Sequence, residues 1–290
     1  MTEQDVLQRF LFEEHGIRGV WVKLTKSWQT AKAHQSSLKA VEQQLGQALA
    51  AVVMLSAIIK FKGSMILQAQ GNGAIRTLVA QADDNRRIRG LVRCKTEVPE
   101  GSLETLFGLG NLVLTIDSDS SMPYQGIVPL QGNNLAAALE TYFLQSEQLK
   151  TRLWLFANEN HAAGLLLQEL PTQGTETRDW QSIEILANTV TEKELLELDC
   201  ENVLHRLFNE EKLRLFDAEA VEFHCDCSRK RIERTLFAMG RAELEGILAE
   251  KGLIEVICEF CNQHYEFNKQ DIEIMLLSSE NDQDKPAIRH

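Results

Sequence analysis

The chain has 290 residues, enough for about two domains and for a core that hides roughly 75% of the unfolded surface. Its composition is 44% apolar and 25% charged, which excludes a disordered, collagenous or fibrous chain. The net charge of −12 argues against a broad surface for duplex nucleic acid, though not against a local basic patch.

The longest apolar run, Ala48 to Ile59, is interrupted by Ser56. It is shorter than the ~20 residues a membrane span needs, so no membrane association is expected. The N-terminus, Met1-Thr2-Glu3-Gln4-Asp5, lacks the basic and apolar regions of a secretory signal. The expected location is therefore the cytoplasm, where clustered cysteines serve metal binding or redox chemistry more readily than permanent disulfides.

Charge is unevenly distributed. Residues 1–171 balance 16 acidic against 16 basic side chains, whereas residues 172–224 hold 13 acidic and 5 basic, net −8. Residues 225–290 hold 13 and 9, net −4. Repulsion within the middle stretch opposes its compaction, so it reads either as a solvated helical surface or as a linker of low stability.

In chain order, Arg18–Leu24 alternates and is rich in β-formers, which predicts a strand. Ala31–Lys60 has few breakers and predicts one long helix, its second half apolar on all sides and hence buried. Strands are predicted at Ser64–Gln70, Ala74–Ala80, Arg87–Arg93, Asn111–Asp117 and Tyr124–Pro129, with Gly71-Asn72-Gly73 as a turn. Leu135–Gln148 predicts a helix, and Arg152–Ala157 and Ala163–Leu170 two more strands. Consecutive strands joined by short turns point to an α+β fold with antiparallel sheet. Residues 1–171 are read as this core domain.

Residues 172–224 read as an acidic helical linker. Thr191-Glu192-Lys193-Glu194 has capping-box spacing, and Leu195, Leu196, Leu198, Val203, Leu204, Leu207 and Phe208 form apolar stripes. Leu213–Phe216 and Val221–Phe223 are short strand candidates. Residues 225–290 form a third, small domain. Helices are predicted over Arg229–Ala238 and Arg241–Lys251, ended by Gly240 and Gly252. A hairpin of Leu253–Ile257 and His264–Phe267 follows, then a helix from Asn268 through Leu277 and a fraying polar tail.

Four of the six cysteines form two pairs, Cys225-Asp226-Cys227 and Cys258-Glu259-Phe260-Cys261. Two short-range pairs joined by a loop supply the four sulfurs of a tetrahedral zinc site. Cys225, Cys227, Cys258 and Cys261 are thus the candidate ligands of one Zn2+ per chain. They already close the site, so His224 and His264 are read as non-ligands. Cys94 and Cys200 read as ordinary thiols. Ser228-Arg229-Lys230-Arg231 places three cations beside the first pair, and cations favour the oxidisable thiolate. Oxidised sulfurs cannot hold zinc, and a domain this small would lose the ~10–16 kcal/mol that structural zinc adds to folding. The spacing permits a switch from redox state to folding.

The chain resembles the thirty-three-kilodalton redox-regulated heat-shock chaperones of bacteria over nearly all its length. The resemblance rests on Cys-x-Cys, about 30 residues, then Cys-x-x-Cys, and on Arg18-Gly19, Gly71-Asn72-Gly73, Ala82-Asp83, Ile88-Arg89-Gly90 and Tyr142-Phe143-Leu144-Gln145-Ser146-Glu147-Gln148. Arg86 stands where relatives often carry Gly, and Leu91 where they often carry Tyr; Asn85 is then the residue expected to take a left-handed turn conformation. The resemblance implies a holdase that is neither an enzyme nor an ATPase. It implies an inactive reduced state with zinc on the four cysteines. Oxidation would form the disulfides Cys225–Cys227 and Cys258–Cys261, release zinc and unfold the C-terminal domain and linker. The protein would then capture unfolding client proteins, as a homodimer when activated.

Two other functions compete. Arg229, Lys230, Arg231 and Arg234, or Arg86, Arg87, Arg89 and Arg93, could serve a zinc-ribbon nucleic-acid-binding protein, although the overall charge and the lack of a known motif speak against it. A zinc or cysteine enzyme would need an open metal position or a recognisable catalytic motif, and neither is legible; Asp117 and Asp119 read as turn residues.

Overall fold

The structure, a computed structural model, describes residues 5–36, 38–118, 122–171 and 180–283. Asp119 lies outside these residues. The chain divides into two compact units, Met1–His224 and Cys225–His290.

The first unit is built on two six-stranded sheets. One contains β1 (Val6–Phe12), β2 (Ile17–Leu24), β8 (Thr151–Ala157), β9 (Ala162–Glu169), β10 (Leu213–Leu215) and β11 (Glu219–Ala220). Its order is β10-β1-β2-β9-β8, with β11 also on β1. The other contains β3 (Gly63–Gly71), β4 (Ile75–Asp83), β5 (Arg87–Cys94), β6 (Gly110–Ser118), β7 (Tyr124–Pro129) and β12 (Glu222–Phe223), in the order β12-β5-β4-β3-β6-β7. All pairings are antiparallel except β12 on β5. The expected α+β class is what the structure has, and β1 is an additional strand that the sequence reading passed over.

Helix α2 (Lys39–Ile58) packs against strands of both sheets and is buried along most of its length. Its 20 residues are long and apolar enough to cross a membrane, longer than the Ala48–Ile59 run implies. Its apolar face is instead filled by the protein's own core, among Val20, Val22, Leu67, Leu78 and Leu166. The single helix expected over Ala31–Lys60 is two. Helix α1 (Lys26–Lys32) has its first turn held by Asp5, whose carboxylate accepts from the amides of Thr25, Lys26 and Ser27 at 2.5–2.9 Å. Trp28 donates its indole N–H to the Asn158 carbonyl at 2.9 Å. Between the helices, the Gln35 amide oxygen accepts from the Val92 backbone on β5, and the Ser36 hydroxyl accepts from Leu38 N. Side-chain hydroxyls that bond nearby backbone compete with helix continuation.

Helices α3 (Leu103–Phe107) and α4 (Leu135–Tyr142) complete the sheet domain. The expected helix over Leu135–Gln148 widens to a π-helical turn at Phe143–Glu147 and ends at Gln148 with φ 55°. The turn at Asp84-Asn85-Arg86 corrects one expectation: Arg86, not Asn85, takes the left-handed conformation, with φ 63°. Its guanidinium compensates for the strain. Nη1 donates to the Ser56 carbonyl and hydroxyl at 3.0 and 3.1 Å, and Nε pairs with Glu219 at 3.0 Å.

The first sheet is buried on both faces. Leu7, Val20, Val22, Leu24 and Leu166 face α2; Phe10, Phe12, Ile17, Trp21, Leu165 and Leu167 form a second core with the middle segment. That alternation is the period of two expected of strands. Gly19 serves it, since a Cβ there would fall 2.0 Å from the Phe10 ring on the paired strand. The second core is covered by α5 (Trp180–Ala187), α6 (Glu192–Glu197) and α7 (Cys200–Phe208). Trp180, Ile183, Leu195, Leu196, Val203, Leu204, Leu207 and Phe208 are the residues they bury. The capping box at Thr191 is present, with Glu194 Oε2 accepting from Thr191 N at 2.9 Å and Thr191 Oγ1 accepting from Glu194 N.

The acidic surplus of this segment is partly neutralised by the sheet domain. Glu184 pairs with Arg152 at 3.1 Å and Glu211 with His15 at 2.8 Å. Glu219 pairs with both Arg9 and Arg86. In return, Lys212 and Arg214 pair with Glu14 and Glu13.

The second unit contains α8 (Arg229–Met239), α9 (Arg241–Lys251), the hairpin β13 (Ile254–Ile257) with β14 (His264–Phe267), and α10 (Lys269–Gln283). Gly240 and Gly252 have φ 88° and 72°, as their helix-ending role requires. Asn268 caps α10 by accepting from Asp271 N at 3.0 Å. The helix runs six residues past Leu277, because no Gly or Pro interrupts it before Pro286. The core of this unit is small: Leu236, Leu244, Ile254, Phe267, Ile272, Met275 and Leu276.

Candidate metal centre

All four predicted ligands come together. Cys225 and Cys227 lie in extended chain ahead of α8, whose first turn is capped by Ser228 accepting from Arg231 N. Cys258 and Cys261 form the tip of the β13–β14 hairpin. Its reversal is closed by Asn262 N donating to the Cys258 carbonyl at 2.7 Å and Cys258 N donating to the Gln263 carbonyl at 3.0 Å. Asn262 takes the left-handed conformation this reversal needs, with φ 52°.

Arg229 ties the two halves. Its guanidinium stacks 4.2 Å from the centroid of Phe267, donates to the Glu266 carbonyl at 2.9 Å and pairs with Asp271 at 3.1 Å. Arg231 pairs with Asp226 at 3.7 Å. These cations, read from the sequence as neighbours of the thiols, therefore brace the loop that carries them.

The four Sγ atoms lie within 4.8 Å of one another, with Cys225 to Cys258 at 3.7 Å and Cys227 to Cys261 at 3.3 Å. A tetrahedron with zinc–sulfur bonds of about 2.3 Å has sulfur–sulfur edges of about 3.8 Å. The donor set thus fits a tetrahedral thiophilic ion. The cysteines are free thiols, Cys258 buried and the other three half-buried. Burial, reinforced by the neighbouring cysteines, pushes the Cys261 thiol above its ordinary range. A divalent cation among the sulfurs reverses that tendency, because it stabilises thiolate directly.

Of the two flanking histidines, His264 turns its Nδ1 to Glu255 at 2.8 Å, and His224 donates its backbone N–H to the Ile88 carbonyl. Neither belongs to the sulfur cluster. Cys200 is buried at the start of α7, where burial and then Asp199 and Glu201 push its thiol up to about 12. Cys94 closes β5, half-buried.

The sequence reading gave no role to Tyr265. Its hydroxyl donates to Cys227 Sγ at 3.2 Å, and that bond is the first cause of its own hydroxyl being pushed up to about 12. The signal was present in the hairpin alternation, which sends Tyr265 and Phe267 inward while His264 and Glu266 stay exposed.

The comparisons with known proteins agree with this geometry. A family model described as Hsp33 protein matches residues 5–268. A 33 kDa chaperonin of Nitrosococcus oceani is 56% identical over 273 residues, 94% of each chain. One of Pseudomonas aeruginosa is 42% identical over the full length of both. The crystal structure of the 33 kDa chaperonin (heat shock protein 33 homolog) of Thermotoga maritima superposes with a TM-score of 0.84 at 25% identity, covering 96% of this chain and all of that one. The fold, the sulfur cluster and these matches lead to one statement: the chain belongs to the Hsp33 family of chaperones.

Proposed function

We propose that this chaperone is an ATP-independent holdase governed by the redox state of its four clustered cysteines. In the reduced state Cys225, Cys227, Cys258 and Cys261 hold one Zn2+, which supplies the cross-link that folds residues 225–290, and the protein is inactive. On oxidation, disulfides form between Cys225 and Cys227 and between Cys258 and Cys261. Each reduced cysteine pair passes two electrons to one peroxide; the O–O bond breaks, the S–S bond forms, and two protons complete two waters. Sulfurs so bonded cannot retain the ion. Residues 225–290 and the linker of residues 172–224 then unfold from the core domain of residues 1–171, and the protein binds unfolding clients as a homodimer in the cytoplasm.

The observation that carries this reading is a four-sulfur cluster in a unit whose described residues include a core of seven buried apolar side chains. So small a core cannot replace the ~10–16 kcal/mol that a structural zinc site adds to folding. The second support is the separate core under α5–α7, which is apolar surface held in reserve while those helices are docked. The nucleic-acid alternative loses ground because Arg229, Arg231, Arg86 and Arg87 each pair with an acidic side chain. The test follows zinc release with a colorimetric chelator during mild peroxide or hypochlorite treatment, on samples also assayed for suppressing heat aggregation of an unrelated protein. One ion per chain is expected to leave, with holding activity appearing only afterwards and lost again under reductant. Zinc that stays bound, or leaves with no gain in activity, overturns the proposal.

A further inference from the structure

The hairpin places a hydroxyl on one sulfur of the cluster, and what it does there depends on strand geometry. In β14, Phe267 is fully buried and fixes the strand's inward face. Tyr265, two residues earlier, shares that face and lies opposite Val256. Its O–H reaches Cys227 Sγ at 3.2 Å, beside the 3.3 Å contact between Cys227 and Cys261. The segment that carries Cys227 is tied to the same strand. Arg229, two residues on, stacks on Phe267 and donates to the Glu266 carbonyl. Strand β14 thus both carries the donor and anchors, through Arg229, the segment that carries the acceptor, an arrangement of the kind in which an outer residue orients a metal-binding side chain.

We propose that Tyr265 is a positioning residue for Cys227 that retards its oxidation and thereby the release of the metal. The inference rests on the metal-switch reading above. A metal-bound thiolate reacts through an outward lone pair. A hydroxyl donating to that sulfur withdraws electron density from the lone pair and occupies the approach an oxidant needs. Attack on peroxide forms an S–O bond as the O–O bond breaks. Hydroxide leaves, takes up a proton, and the sulfur becomes a sulfenic acid. A second thiolate then attacks that sulfur, the S–O bond breaks, and the disulfide forms with loss of another hydroxide, protonated to water. The hydrogen bond to Cys227 must be given up before the first of these steps.

The test uses the full-length reduced protein and the variant Tyr265→Phe, which keeps the ring and removes the donor. Two readouts are compared. The first is the rate of zinc release at fixed peroxide, with release to a competing chelator without oxidant as reference. Loss of one hydrogen bond to a charged acceptor is expected to speed peroxide-driven release about tenfold and chelator-driven release much less. The second is the absorption of the cobalt(II)-substituted protein. The four-thiolate ligand-field bands are expected to be kept, with the sulfur-to-cobalt charge-transfer band moved to lower energy, since the Cys227 sulfur becomes the better electron donor. An unchanged charge-transfer band with an unchanged peroxide rate overturns the proposal. Equal acceleration with and without oxidant also overturns it, by assigning Tyr265 to the folding of the hairpin. If the wild-type protein takes up cobalt without four-thiolate bands, the metal reading itself has failed and this inference falls with it.

Discussion

Phe208 anchors the cover of the second core and offers the most direct way to separate docking from redox chemistry. It is 2% exposed at the end of α7, and its ring meets Phe12 of β1 edge to face, with centroids 4.9 Å apart and planes at 83°. Truncation of a buried Phe to Ala costs about 3–5 kcal/mol, within which an aromatic pair of this geometry accounts for about 0.5–1.5. Phe12 stays on the sheet, so the loss falls on the docking equilibrium of α5–α7. At about 1.4 kcal/mol per decade, docking weakens by roughly two to three and a half powers of ten. Phe208→Ala is therefore expected to expose residues 180–223 to protease and to suppress client aggregation while its four cysteines remain reduced and one zinc is retained. Phe208→Leu, which keeps most of the apolar volume, is expected to fall between it and the wild type. The variants are assayed by limited proteolysis, zinc content and aggregation of a thermally unfolding client without oxidant. A Phe208→Ala protein that keeps its zinc, resists protease like the wild type and holds no client would refute the reasoning. The helices would then be an inseparable layer of the sheet domain.

Three further outcomes follow from named contacts. Cys258→Ser is expected to abolish stoichiometric zinc and to unfold residues 225–283, read as a loss of helical circular dichroism and rapid proteolysis there, because the seven-residue core cannot replace ~10–16 kcal/mol of metal binding. Glu219→Gln removes the carboxylate shared by Arg9 and Arg86 and leaves Arg86, 13% exposed, without its charge partner; a loss of about 1–3 kcal/mol is expected. It should lower the temperature at which the middle segment becomes protease-sensitive, and an unchanged temperature would assign β11 to backbone pairing alone. Cys200, 2% exposed with its thiol pushed up to about 12, is expected to resist iodoacetamide in the reduced protein and to be alkylated once α7 undocks. Mass spectrometry of that one site thus reports linker release, and fast labelling of the reduced protein would contradict the docked geometry.

Much of the fold was legible because it rests on local chemistry. The Thr191 capping box, the Gly240 and Gly252 helix ends and the strands from β3 to β9 all follow from residue type and period, and all occur. The unbroken apolar run Ala162–Leu167 signals a strand buried on both faces, and β9 is covered by α2 on one side and the linker helices on the other. What was illegible depends on partners far along the chain. Nothing near Asp5 says that its carboxylate will cap a helix 20 residues later, so the break between α1 and α2 went unread. Arg86 takes a left-handed conformation because Ser56 and Glu219 hold its side chain, and both lie more than 25 positions away. At the candidate metal centre the four clustered cysteines were readable from spacing alone. For Tyr265 the hairpin alternation gives the inward face, but no spacing rule ties its hydroxyl to a sulfur 38 residues earlier.

On the proposed reading, the chain path from the candidate metal centre into the sheet domain sets how far an unfolding of residues 225–290 would spread. His224 N donates to Ile88 O at the end of the first unit, and the next residue is the candidate ligand Cys225. There is no slack between them. An unfolding of residues 225–290 would leave β12 followed directly by unstructured chain. β12 and β11 have two residues each and β10 has three, so this stretch is held by few ladder bonds and by the charge pairs of Glu219, Arg214 and Lys212. Short edge strands of this kind open locally at low free energy. Fraying then reaches α7, where the resistance changes character. Val203, Leu204, Leu207 and Phe208 share one buried apolar cluster with Phe10, Phe12 and Trp21, and none of the four clustered cysteines belongs to it. If the proposed switch operates, oxidation is expected to loosen residues 213–224 first and α5–α7 last, and heat is expected to promote that last step as conformational entropy gains weight. The proposed switch thus assigns the cysteines to a small unit and makes the apolar stripe of α5–α7 the barrier to further unfolding, and a protease pattern in which residues 180–208 open before residues 213–224 would contradict that order.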